Sequence, residues 1–170
     1  MDLMTILMRL LHIVLGVFWV GAMMFNVIFV IPSIRDAGPD GAKVAAGLMR
    51  RRFMDVMPVA AIITILAGLW LYWKMSAGFQ SAYVHSATGG TLAVGGLLAI
   101  VAFIIGVTTM RPAMLKAAAL SQSAAQAPPA EREAIMARAQ ALRARAFNVS
   151  RWVVLLITLT AVSMAVARYL

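Results

Sequence analysis

The chain has 170 residues, of which 63% are hydrophobic and only 12% charged, and it contains no cysteine. A soluble domain of this composition would lack the polar side chains to cover its surface, so the composition predicts a membrane protein. The absence of cysteine excludes disulfides, thiolate metal sites and iron–sulfur clusters. The net charge of +9 would suggest nucleic-acid binding in a soluble protein, but here its distribution along the chain indicates membrane topology instead.

Four apolar segments predict an all-α fold, a bundle of four transmembrane helices that forms one domain over residues 1–170. The first segment is uncharged, and at about 1.5 Å per residue it can cross a hydrocarbon core of roughly 30 Å. The second and fourth segments are short, and we expect flanking residues to lengthen their helices. The predicted spans cover about 10–31, 56–73, 87–110 and 152–167.

The connections between the spans predict helical extensions outside the membrane. Pro32 is expected to end the first helix, because proline disfavours helical geometry in the residue before it. A turn at 36–41 and a basic helix over 42–53 should follow. Residues 113–150 predict a helical hairpin with a polar turn at 121–129.

Basic residues concentrate in two of the connections. Twelve of the fifteen lie between the first and second spans or between the third and fourth. The positive-inside rule therefore predicts a multi-pass protein of the plasma (inner) membrane, with cytoplasmic basic loops and both termini outside. Arg50-Arg51-Arg52 is expected to contact anionic lipid headgroups of the bilayer, and no nucleic-acid partner is expected.

The first span carries a histidine on a recognisable helical face. His12, Gly16, Trp19, Met23 and Asn26 recur at alternating spacings of four and three residues, which places them on one side of a helix. Ionisable groups at membrane depth are costly and commonly bind a ligand. The plainer interpretation is that this imidazole hydrogen-bonds to a neighbouring helix.

His85 is the second histidine of the chain, and we expect it to open the third helix at the same membrane edge. Two imidazoles on facing helices can supply both axial ligands of a haem iron inside a four-helix bundle, which suits electron transfer. No CxxCH motif is present, so the haem would be non-covalent haem b. Arg9 or Lys74 is placed to pair with its propionates. The candidate site comprises His12 and His85 as metal ligands, with Arg9, Gly16, Trp19 and Gly89 around the cofactor.

Two other functions remain open from the residues. Copper suits imidazole and thioether ligands, and the chain has thirteen methionines, among them Met23, Met24 and Met75. No close Met-x-x-Met or His-x-His cluster accompanies the histidines, so haem ranks above a copper transport or resistance function. The third alternative is a cofactor-free accessory subunit of a membrane complex. The haem function implies a redox partner, and assembly as a homo- or hetero-oligomer would suit the hairpin and the small-residue faces.

Three short motifs carry a family resemblance. Leu11-His12-Ile13 followed by the Phe-Trp-Val-Gly-Ala-Met run at 18–23 resembles the first helix of the group that contains copper-resistance D-type membrane proteins and haem-containing HemJ-type protoporphyrinogen oxidases. Gly-Leu-Trp-Leu at 68–71 and Tyr-Val-His at 83–85 are similar to that oxidase family's second-helix end and third-helix start. The resemblance covers roughly residues 7–112 and implies a four-helix membrane fold with His12 as a haem ligand.

The chain also departs from the oxidase pattern. Ala87 stands where that family has a lysine two residues after the third-helix histidine, and the later tyrosine–histidine pair of that helix is missing. These differences argue against porphyrinogen oxidation, although another haem-dependent oxidoreductase activity would fit the scaffold. The expectation that we carry forward is a cytochrome b-like electron-transfer protein.

Overall fold

The structure is a computed structural model that describes residues 2–38 and 40–170, whose secondary structure is helical throughout. The described residues form eight α-helices: α1 Leu3–Phe25, α2 Ile31–Asp36, α3 Gly41–Arg50, α4 Phe53–Met75, α5 Ser81–Val84, α6 Ala87–Ile105, α7 Arg111–Gln126 and α8 Pro129–Val166. A π-helical turn at Asn26–Val30 joins α1 to α2, and a second at Gly106–Met110 joins α6 to α7. The predicted all-α class is confirmed.

Four helical rods are long and apolar enough to cross a membrane, for which about 20 residues suffice. They cover Leu3–Asp36, Phe53–Met75, Ala87–Gln126 and Pro129–Tyr169. Large apolar side chains cover their outward faces, as Val17 at 70% exposure and Trp152 at 66% illustrate, and lipid solvates such a surface where water would not. The predicted bundle of four transmembrane helices is confirmed, and flanking residues lengthen the second and fourth helices as expected.

The four rods pack as a ring rather than with every pair in contact. α1 packs chiefly against α4, and α6 packs chiefly against α8, while smaller contacts join α4 to α6 and α1 to α8. α1 and α6 therefore occupy opposite corners of the bundle. Its centre is filled by a buried cluster: Trp19, Met23, Met57, Ala60, Ala61, Ala99, Ala102, Val153 and Ile157.

Each π turn comes two residues before a proline. The turn at Asn26–Val30 precedes Pro32, and the turn at Gly106–Met110 precedes Pro112. Proline has no N–H to donate, and its ring crowds the carbonyl four residues earlier, so a wider turn accommodates it without ending the rod. The prediction that Pro32 ends the first helix is wrong, because the rod continues to Asp36.

The short helix α3 connects the first two rods, and Arg51 and Arg52 separate it from the second rod. The turn predicted at 36–41 includes Pro39, which lies outside the described residues. The helix predicted over 42–53 is present as α3, but it ends at Arg50. Arg52 then adopts a left-handed backbone conformation with φ of 56°, and α4 begins at the next residue.

α7 and the first half of α8 form the predicted hairpin over 113–150. Its contact surface consists of alanines spaced seven residues apart, and these are buried: Ala117, Ala124, Ala139 and Ala146. Small side chains at this spacing let two helices approach closely. The prediction of a turn at 121–129 is too long, because α7 continues to Gln126 and α8 begins at Pro129. We call the end of the bundle that carries this hairpin the basic end, and the end at which α1 begins the N-terminal end.

Candidate cofactor site at the α1–α4 contact

His12 lies on the side of α1 that packs against α4. Its Nδ1 is 2.8 Å from the backbone carbonyl oxygen of Thr64, and the side chain is half-buried. A carbonyl oxygen can only accept, so Nδ1 carries the proton and donates it. In the neutral imidazole the other ring nitrogen, Nε2, then has the lone pair, and this is the tautomer that can bind a metal through Nε2.

A glycine on α4 makes room for this imidazole. A Cβ atom on Gly68 would lie 2.7 Å from Cε1 and 2.8 Å from Nδ1 of His12. In an α-helix the carbonyl of Thr64 also receives the N–H of the residue four positions later, which is Gly68. Because that residue has no side chain, the imidazole reaches the carbonyl from outside α4 and lies against its backbone.

Gly16 continues the same close contact one turn further along α1. A Cβ atom there would lie 3.4 Å from Cγ2 of Thr64, an ordinary van der Waals distance. Thr64 is 6% exposed, and its hydroxyl donates to the carbonyl of Ala60 at 2.8 Å. Its polar atoms are thus satisfied within α4, except for the carbonyl that it shares with His12. Gly16 serves the packing of α1 on α4.

Charged residues gather at the N-terminal end of the bundle, where α1 begins and α4 ends. Asp2 caps α1 by accepting from the N–H of Thr5 at 2.8 Å, and it also forms an ion pair with Lys74. The Lys74 hydrogen bond, followed by those of Thr5, holds the pKa of the Asp2 carboxyl well below its usual range. Lys74 in turn lies over the ring of Trp70 at 5.3 Å. Arg9 is exposed on α1, one turn before His12.

His85 lies in the connection before α6, so the expectation that it opens the third helix is wrong. It is the C-terminal cap of α5, and α6 begins at Ala87 with Ser86 as its N-cap. Its side chain is exposed, with Nδ1 2.8 Å from the carbonyl oxygen of Ser81. The same argument gives His85 a protonated Nδ1 and a free lone pair on Nε2.

The structure does not place the two histidines on facing helices. His12 is fixed to α4, and α1 lies diagonally across the bundle from α6. Among residues 2–38 and 40–170, no group of three or more histidine, cysteine, aspartate and glutamate side chains is arranged to hold a metal ion. His12 is thus a half-buried imidazole at the α1–α4 contact, and His85 is a separate, exposed imidazole at the rim of the bundle, before the start of α6.

Gly89 lies where α6 meets the α5 turn. A Cβ atom there would come within 2.0 Å of the carbonyl oxygen of Tyr83, so only glycine fits. Tyr72 donates to the carbonyl oxygen of Gly89 at 3.1 Å and stacks edge-on against Tyr83, with 5.9 Å between ring centroids. Burial, and secondarily the neighbouring Tyr72, raises the pKa of the Tyr83 phenol. Gly89 thus has a structural role in anchoring the α4–α6 connection.

Trp19 is buried deeper in the bundle, towards the basic end. It lines a cavity of about 40 Å³ together with residues of α4, α6, the second π turn and α8. Four of the lining residues are methionines: Met23, Met54, Met57 and Met110. The cavity is far smaller than the several hundred Å³ of a cofactor pocket, so it could hold an ion but not a porphyrin.

Comparison with protein-family models, with curated proteins and with solved structures gives no match for this chain. The resemblance to copper-resistance D-type and HemJ-type proteins therefore stays a prediction from the motifs alone.

Sequence reasoning missed the α4 half of the site. Thr64 and Gly68 hold His12, yet neither stands in a motif that the histidine spacing on α1 would reveal. The available signal was Gly68 itself, a helix-weakening residue inside an apolar span and the first residue of the Gly-Leu-Trp-Leu motif at 68–71. Such a glycine indicates that another group lies close to the helix backbone.

Proposed function

We propose that this chain is a membrane-bound b-type haem protein that transfers electrons, with His12 as an axial ligand. The observation that supports this most is the hydrogen bond from His12 Nδ1 to the carbonyl of Thr64. Histidines that bind metals almost always donate their second N–H to a carbonyl or carboxylate, which fixes the ring and leaves Nε2 free. His12 has this arrangement on a helix that the membrane would hold rigid.

The other candidate residues have different roles in this proposal. His12 would hold haem at the α1–α4 contact, where Gly16 and Gly68 let the two helices lie close together, rather than between α1 and α6. Arg9, exposed on α1 one turn before His12, would be the cation for a propionate. Trp19 and Gly89 act through packing of the bundle. Bound haem b would supply one-electron redox chemistry.

His85 is the second axial ligand in this proposal. Its free Nε2 supports the role, but its ring lies at the α5–α6 junction, so it has to turn inward from the rim for both imidazoles to bind one iron. The hydrogen bonds that hold it there, to the carbonyl and hydroxyl of Ser81, lie within one helical turn of α5. A turn of four residues is a weak restraint compared with a membrane helix.

The proposed topology follows from charge. The basic end, with Arg50-Arg51-Arg52 and the α7–α8 hairpin, faces the cytoplasm of a plasma (inner) membrane, and both termini lie outside. The haem then lies near the outer face, where a redox partner or another subunit would approach it.

A reduced-minus-oxidised visible spectrum of the purified protein tests the proposal. We expect sharp haem b bands, which disappear in His12→Ala because the rigid ligand is lost. His85→Ala should retain haem but lose the sharp six-coordinate bands. Gln80→Ala, a change of another exposed polar residue beside α5, is the matched control and should leave the spectrum unchanged. Full haem occupancy with sharp bands in His12→Ala would contradict the assignment.

Copper handling is the second candidate, and the methionine-lined cavity favours it. Met23, Met54, Met57 and Met110 bring four thioethers to one small space beside Trp19. Thioether sulfur is a soft ligand that selects Cu(I). Near-stoichiometric copper without Soret absorption, lost in Met57→Leu, would support this function. A protein with neither metal nor haem would instead support the accessory-subunit alternative.

A further inference from the structure

Two cationic side chains, Lys116 and Arg145, line a groove at the basic end of the bundle. It lies beside the second π turn, between α7 and α8, and has a volume of about 230 Å³. Seven residues line it: Thr108, Thr109, Pro112, Ala113, Lys116, Leu142 and Arg145. Its wall thus combines two positive charges and two hydroxyls with apolar side chains.

The two cations are not neutralised by the protein. Within residues 2–38 and 40–170, neither Lys116 nor Arg145 has an ion-pair or hydrogen-bond partner, whereas Arg143 on the same hairpin bonds to the hydroxyl of Ser121 at 2.7 Å. No acidic residue lines the groove. Asp55, at the start of α4, is already bound by Arg52 and Arg111. The groove therefore keeps its full positive charge for a ligand.

One of the two threonines can add a hydroxyl donor to the cations. The Thr108 hydroxyl donates to the carbonyl of Ile104 at 2.7 Å, so its proton is not available to an anion. The Thr109 hydroxyl makes no hydrogen bond to the described residues, so it can donate to a ligand oxygen. Ammonium, guanidinium and hydroxyl donors around one space are the groups that bind a phosphate.

An apolar track leads from this groove along the membrane-facing side of α6. Val94, Leu97, Val101 and Ile104 are exposed, and with Thr108 they follow alternating spacings of three and four residues. These residues thus form one face of a single helix, which ends at the groove. A ligand with a phosphate in the groove and hydrocarbon chains on this face would match both surfaces at once.

We propose that the groove binds the phosphate headgroup of an anionic phospholipid, whose acyl chains lie along the exposed face of α6. The π turn places the groove where the apolar part of the third rod ends, which is the depth of lipid headgroups. Basic pockets between transmembrane helices bind anionic headgroups in this way. The lipid joins α7 to α8 at the membrane surface and so holds the hairpin on the bundle. This proposal does not depend on haem or copper.

Binding of dioleoyl phosphatidylglycerol to the full chain in neutral detergent tests the proposal, with native mass spectrometry as the readout. We expect retained phosphatidylglycerol and no comparable retention of phosphatidylcholine. Lys116→Gln with Arg145→Gln should weaken binding about 30-fold, as expected for the loss of two cations near a headgroup. Lys43→Gln with Arg138→Gln removes the same charge, one lysine and one arginine, from exposed positions outside the groove and should change binding less than 3-fold.

Three outcomes would overturn the proposal. Equal weakening by both double variants would mean that general charge attracts the lipid. Equal retention of phosphatidylcholine, whose headgroup has a phosphate but no net charge, would mean that the cations do not select an anionic ligand. The groove would instead be a site for a soluble anion if millimolar inorganic phosphate displaced the lipid and the protein bound phosphate equally well when no lipid was present. Lys116→Arg keeps the charge and should retain binding, which separates loss of the site from loss of folding.

Discussion

Replacing Gly68 by alanine tests the α1–α4 contact most directly. The added Cβ would lie 2.7 Å from Cε1 of His12, so the ring must move about 0.7 Å to reach the 3.4 Å of an ordinary contact. A shift of that size away from α4 stretches the 2.8 Å bond between Nδ1 and the Thr64 carbonyl to about 3.5 Å. The substitution therefore breaks the bond that fixes the imidazole.

The expected cost follows from three contributions. Losing a part-buried hydrogen bond costs about 1 kcal/mol, and overpacking at the helix contact costs about 1–3 kcal/mol. The higher helix propensity of alanine offsets about 1 kcal/mol. We expect Gly68→Ala to lower the free energy of unfolding by about 1–3 kcal/mol, which corresponds to a fall in Tm of about 2–12 °C.

Gly21→Ala is the matched control on α1. A Cβ atom at Gly21 would meet nothing within 4 Å, so only the propensity gain applies and Tm should stay or rise. Thermal unfolding followed by circular dichroism gives the stability, and ¹⁵N NMR of the imidazole reports whether Nδ1 still carries the proton in a hydrogen bond. Unchanged Tm and unchanged imidazole signals in Gly68→Ala would refute the described contact.

Three further substitutions test other contacts. Gly95→Ala places a Cβ 2.9 Å from the Cβ of Ser163 on α8, so unfolding measurements should show a loss of about 1–3 kcal/mol. Lys74→Met removes the largest cause of the lowered Asp2 pKa, so an NMR titration should show that pKa rising towards its ordinary value. Because the folded-state pKa is lowered, the pair stabilises the protein above the ordinary carboxyl pKa, and acid unfolding should show this contribution disappearing as pH falls through the lowered value. Tyr83→Phe should leave the Tm unchanged or raise it, since the buried hydroxyl finds no partner among the described residues.

The spans were predictable from sequence because length and hydropathy decide them directly. An uncharged run such as 10–31 has no stable alternative to a helix in lipid, where each backbone polar group must be satisfied within its own segment. The ends were less predictable. Pro32 locally favours a helix end, but in the structure a π turn accommodates the proline and the rod continues. Whether a proline ends a helix or is accommodated by a π turn depends on packing, which the local sequence does not contain.

Only the α1 side of the candidate site was predictable from the sequence. The periodicity of α1 correctly placed Trp19 and Met23 on the buried face. It could not show which helix that face would meet, because pairing among four apolar rods depends on small differences in side-chain fit. His12 therefore faces α4 rather than α6. The segment 76–86 contains the helix α5, whose four residues are too few to give a helical pattern in the sequence, and His85 caps it.

The second π turn keeps two halves of one rod in phase. Gly95, Ala102, Ala117 and Ala124 are all buried along the third rod, and their separations are seven, fifteen and seven residues. A separation of fifteen residues is one more than two heptads. The π turn accommodates this one extra residue, because a π turn contains more residues than an α-helical turn. One more residue inserted there would rotate everything beyond it by about 100° and swing the alanines of α7 off their partners. The length of this π turn, as much as its composition, thus decides whether the α7–α8 hairpin can close.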